Sequence, residues 1–122
     1  MADSFRDFGR KMKRLADVVD QAAEDGAIDA AEEIAEAARE LAPVNTGRLR
    51  RSIKTDVENR RRGVIDVAIG PDESIDYAAD EEFGTAHNHA NPYMRPAVDT
   101  AGDRAVDHVT KRARDAIRTV AK

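Results

Sequence analysis

The stretch Leu41-Ala42-Pro43-Val44-Asn45-Thr46-Gly47-Arg48-Leu49-Arg50-Arg51-Ser52-Ile53-Lys54-Thr55-Asp56-Val57 is where the hydrophobic period of the chain changes. Upstream of it, Phe5, Phe8, Met12, Leu15, Val19, Ala22, Ala23, Ala27, Ala30, Ala31, Ile34, Ala38 and Leu41 recur at three- and four-residue steps. That spacing predicts one amphipathic helix over residues 4–42. Opposite charges such as Asp7 with Lys11 and Glu36 with Arg39 mark its solvated side. Gly26 interrupts the stripe and is a candidate kink, and Pro43 ends the helix because the residue before a proline avoids helical angles. Asn45, Thr46 and Gly47 then read as a turn. Downstream, Ile53, Thr55 and Val57 alternate with Lys54, Asp56 and Glu58, as in a half-exposed strand. The sheet is expected to begin within residues 48–53.

Further along, Asn59-Arg60-Arg61-Arg62-Gly63 is a polar, Gly-ended connection, and residues 64–69 have high β propensity, so the two segments predict an antiparallel hairpin closed by Gly70-Pro71. Residues 72–91 hold no clean period and read as a structured loop with a short helix over 77–83. Pro96 occupies a first-turn position, and Ala97, Ala101, Ala105, Val109, Ala113, Ile117 and Val120 form a second helical stripe. The expected fold is a single α+β domain over residues 1–122: a long N-terminal helix, a small antiparallel hairpin, a structured loop, and a C-terminal helix packed on the sheet.

Leu, Ile, Val and Phe together make up 23 of 122 residues, close to the floor of about 20% below which chains tend not to fold alone. A thin core follows, with alanine as filler, and self-association is expected to complete it. The 20 basic and 24 acidic side chains leave a net charge of −4, which argues against a free-standing nucleic-acid binder with a coherent basic face. The absence of cysteine excludes disulfides and thiolate chemistry. The charged opening and the lack of an apolar run of about 18 residues predict a soluble, intracellularly made chain without membrane contact.

Reactive constellations are weak. Glu82, His87 and His89 are close in sequence, but two histidines two apart share a side only on a strand, and this segment reads as loop, so no metal site is assigned. Ser4, Ser52 and Ser74 lack the Gly-x-Ser-x-Gly setting of a nucleophile, and Asp80, Glu81 and Glu82 read as a solvated acidic face. Neither glycine-rich phosphate-binding pattern occurs, so no catalytic residue and no cofactor is assigned. The basic groups at Arg48, Arg50 and Arg51 and at Arg60, Arg61 and Arg62 lack interleaved aromatics. They are expected to pair with acids of neighbouring subunits in preference to contacting DNA in a channel.

Three segments carry a resemblance. Ala42-Pro43-Val44-Asn45-Thr46-Gly47-Arg48-Leu49-Arg50-Arg51-Ser52-Ile53, then Tyr77-Ala78 leading to Glu82-Phe83-Gly84-Thr85, and then Asn91-Pro92-Tyr93-Met94-Arg95-Pro96-Ala97 occur in this order between two long helices. The chain in this respect resembles the gene-ten-like family of tail-completion, or neck, proteins of long-tailed phages. The resemblance implies a non-enzymatic virion protein that forms a homo-oligomeric ring, expected as a hexamer, which completes the tail and joins it to the head. Its implied partners are further copies of itself, adjacent neck, head-closure, terminator or tail-tube proteins, and viral DNA passing through the lumen without sequence-specific binding. A terminator or head-closure ring at an adjacent level is the alternative within this class, and a small nucleic-acid-binding regulator the alternative outside it. The matched positions Pro43, Thr46, Gly47, Leu49, Ile53, Tyr77, Glu82, Phe83, Gly84, Thr85, Pro92, Tyr93, Arg95 and Pro96 are expected to act in folding, with Phe83 placed in the core. His87-Asn88-His89-Ala90 departs from the family pattern.

Overall fold

The computed structural model describes residues 2–44, 47–61 and 63–121. Among them the elements run α1 (Ala2–Leu41), α2 (Arg48–Ser52), β1 (Lys54–Arg61), β2 (Val64–Gly70), α3 (Ala78–Phe83) and α4 (Met94–Ala121). At about 1.5 Å per residue α1 is about 60 Å long, so it outruns every other element.

α1 and α4 pack against each other through small side chains. Ala30, Ala31, Ala35, Ala38 and Ala42 of the first helical stretch and Ala97, Ala101 and Ala105 of α4 are all buried. Alanine loses no rotamer freedom in a helix, and its single methyl lets two helices approach closely. Gly26 takes this to its limit, since a Cβ there would lie 3.0 Å from the Cα of Val109. α1 passes through Gly26 as one continuous helix, so the glycine marks a close helix contact in place of the expected kink. Charged and polar pairs flank the contact: Asp29 pairs with Arg112, and Glu33 lies 3.0 Å from His108 Nε2 and 3.9 Å from Arg104.

The hairpin pairs Lys54 with Gly70 through Arg61 with Val64, with a bulge between Val57 and Asn59. The strand therefore extends through Asn59, Arg60 and Arg61, which were expected in the connection. Gly63, just before β2, supplies a positive φ of +76° where the chain reverses. A lone two-stranded ribbon is marginal in water and needs a packing partner. That partner is α1, while α4 makes its principal contact with α1; the C-terminal helix packed on the sheet is thus corrected to a C-terminal helix packed on the N-terminal one.

Residues 48–52 do not start the sheet. They form a helical turn, α2, capped by Gly47 at φ +80°, and Leu49 and Ile53 both drop into the core. Their spacing of four, apolar amid arginines, is a helical spacing that the alternation further on obscured.

Candidate functional site

The core gathers at one end of the molecule. Ala35 and Ala38 of α1, Ala42 just past its end, Leu49, Ile53, Ile75, Ala78, Tyr93 and Ala97 form one cluster, and Tyr93, Leu49 and Ile53 are its largest fully buried side chains. All three matched segments meet here, through Leu49 and Ile53, through Ala78 with Tyr77 partly buried beside it, and through Tyr93. The Tyr93 hydroxyl donates to the Ala78 carbonyl at 3.2 Å. Burial, followed by the nearby Glu82 and Glu81 charges, pushes the Tyr93 phenol up to about 12.

Glu82 closes this end. Its Oε2 accepts from the backbone N–H of Tyr93 at 2.8 Å and of Met94 at 2.9 Å, and its Oε1 from Arg95 at 3.0 Å. Pro96 has no N–H to satisfy, and Ala97 N–H donates to the Tyr93 carbonyl at 3.3 Å. The first turn of α4 is thereby accounted for by one carboxylate and one proline, with the negative charge at the positive end of the helix. Burial acts to raise the Glu82 carboxyl, but the three N–H groups and then Arg95 outweigh it and hold the group below its ordinary range.

The segment between Glu82 and Tyr93 is folded back on itself. Gly84 adopts φ +76°, and a Cβ there would lie 2.8 Å from the Ala90 nitrogen, so both its conformation and its crowding require glycine. The Thr85 hydroxyl accepts from the N–H groups of His87 and Asn88, and Asn91 N–H donates to the Glu81 carbonyl at 2.6 Å. His87 and His89 are exposed on this loop while Glu82 is turned toward α4. Among the described residues no group of three His, Cys, Asp or Glu side chains is arranged to hold a metal ion. Pro92 and Arg95 are exposed and Pro43 is partly buried; Thr46 lies outside the described residues.

Phe83 requires a correction. It is 81% exposed, and Tyr93 occupies the core place expected for it. The short α3 buries Ala78 and turns Glu82 toward α4, which leaves the next residue pointing away from the body.

One contributor was not singled out by sequence. Arg39 donates from Nε and Nη2 to the Ile53 carbonyl at 3.0 and 2.8 Å, and from Nη1 to Glu32 at 2.9 Å and Glu36 at 3.1 Å. Its planar fork ties the last turn of α1 to the residue just before β1. Glu32 adds a second tie by accepting from the Thr55 hydroxyl at 3.2 Å. The sequence showed only the Glu36–Arg39 pairing. Arg60, expected to seek an acid on a neighbour, lies 3.5 Å from Glu24 of the same chain.

Large apolar side chains remain on the outside. Phe5, Phe8 and Met12 on α1 are 74%, 60% and 45% exposed, and Val98, Val106 and Ile117 on α4 are likewise uncovered. A shallow groove of about 410 Å³ between α1 and the hairpin tip is lined by Asp17, Asp20, Gln21, Glu24, Arg60, Arg61 and Gly63, a set of charged and polar groups without Ser, Thr, Cys or His. No described helix is long and apolar enough to cross a membrane.

The family model for bacteriophage HK97 gp10-like tail components matches residues 6–88, which run from the first turns of α1 through α3 into the loop beyond it. No curated protein and no solved structure matches the chain.

Proposed function

Because this chain belongs to the HK97 gp10-like family of phage tail components, and so is a virion protein, we propose that it acts by assembly: six copies close into a ring that completes the tail and joins it to the head around the DNA path. The observation that carries this reading is the distribution of apolar surface. A core made largely of alanine stabilises one end of the molecule, while phenylalanines, methionine and valines along both long helices stay in water. Exposed apolar stripes of this kind mark surfaces that other protein copies cover. Their placement on different elements suits head-to-tail contacts, which close into a ring when the rotation per subunit closes. The neighbouring virion proteins contact this ring, and viral DNA passes its lumen without base readout.

Electron microscopy of lysates from a phage lacking the gene tests the proposal. Filled heads and separate tails that fail to join are expected. Empty heads would move the protein to packaging, and normal infectious particles would remove the joining role.

A further inference from the structure

The two ends of the subunit differ in charge as well as in packing. Every residue from 4 to 14 is exposed, and Leu15 is the first side chain to be partly covered. α4 meets α1 at Gly26 through Val109 and Arg112, and its remaining nine or so residues add about 14 Å, so α1 projects beyond it. The projecting segment presents Phe5, Phe8 and Met12, and residues 2–14 hold Arg6, Arg10, Lys11, Lys13 and Arg14 against Asp3 and Asp7.

The opposite end is its complement. Residues 72–83 hold Asp72, Glu73, Asp76, Asp80, Glu81 and Glu82 and no basic residue. Asp72 faces Lys54 and Glu82 caps α4, but Glu73, Asp76 and Asp80 are exposed, and the exposed Phe83 ends the same segment. Ile75 and Ala78 fix this segment beside Ala38, so about 45 Å of α1 separates it from Phe8. A subunit cannot bring its own two ends together.

We propose that the basic, aromatic N-terminal end of α1 docks on the acidic segment around α3 of a second copy, with Phe83 in the contact. The assignment rests on the ring reading above and names its interface. Opposite charge at the two ends steers copies into a head-to-tail order and disfavours head-to-head pairs, because like charges would meet there. Burial of the phenylalanines then supplies the non-directional part of the attraction. The arrangement gives a reason for an 81% exposed phenylalanine that the fold of one subunit lacks.

Charge exchange in the full-length chain tests this, with association followed by analytical ultracentrifugation. The double variants Arg10→Glu/Lys13→Glu and Asp76→Lys/Asp80→Lys alter only exposed residues, so circular dichroism should be unchanged. Each is expected to raise the concentration needed for association by more than about tenfold, the effect of placing like charges opposite each other. The chain carrying all four substitutions should associate at close to the wild-type concentration, and Phe83→Asp should weaken association in the wild-type background. Double variants that associate like the wild type, or a fourfold variant that does not recover, would overturn the interface alone. A wild-type chain monomeric at every concentration would overturn the ring reading together with it.

Discussion

Glu82 does the work of an N-cap from eleven residues upstream, with three backbone donors on one carboxylate. Removing a capping side chain costs about 1–2 kcal/mol, and hydrogen bonds to a charged acceptor lie at the upper end, so Glu82→Ala should lower the free energy of unfolding by about 2 kcal/mol in urea titrations. The pH dependence has a definite sign. The folded-state pKa is depressed below the ordinary 4.5, so the contribution is complete above that value and is lost as pH falls through the depressed one. Glu82→Gln should flatten this acid limb, and an unchanged limb would show that another carboxylate causes it. At neutral pH, Phe83→Ala should change monomer stability by less than about 0.5 kcal/mol, as surface substitutions do. Tyr93→Ala, by contrast, should cost about 3–5 kcal/mol as a buried aromatic truncation. Equal losses for the two would return Phe83 to the core.

Among the elements, the helix pair makes a close contact at Gly26 that leaves little room for a side chain. With 3.0 Å from a built Cβ to the Val109 backbone, a branched side chain would drive the helices apart, and overpacking of this kind typically costs about 1–3 kcal/mol. Gly26→Val should therefore lower the thermal midpoint while leaving helix content nearly intact; a raised midpoint would mean that the helices separate without loss. The long elements were legible because their period persisted over many turns: both helices and the hairpin stand near where the spacing put them. Pro43 and Gly47 were sound punctuation. Short-range exceptions were not legible. The arginine-rich α2 takes its form from Leu49 and Ile53 reaching a core assembled from distant residues. Arg60 and Arg61 remain in a strand because they pair with Ile65 and Val64 across the hairpin. The place of Phe83 was hidden for a related reason: a six-residue helix with its glutamate committed to α4 can bury only one side, and local pattern does not say which. Nothing before folding showed that Glu82 and the N–H groups of residues 93–95 would meet.

For the whole molecule, buried bulk is concentrated around Ala38 and Tyr93 and thins steadily along the helices. Opening free energies follow that gradient, from global unfolding at the packed end to fraying at the free one. Amide hydrogen exchange should be slowest near Ala38, intermediate near Gly26, and within about tenfold of unprotected rates at residues 4–14, because a helix end of that length is marginal without contacts. Uniform protection along α1 would contradict the gradient. In kinetic terms, an end that frays as this gradient predicts would have to be caught in its helical form by the interface proposed above. Productive encounters would then be rarer than collisions, and that interface would fill only where the local concentration of subunits is high.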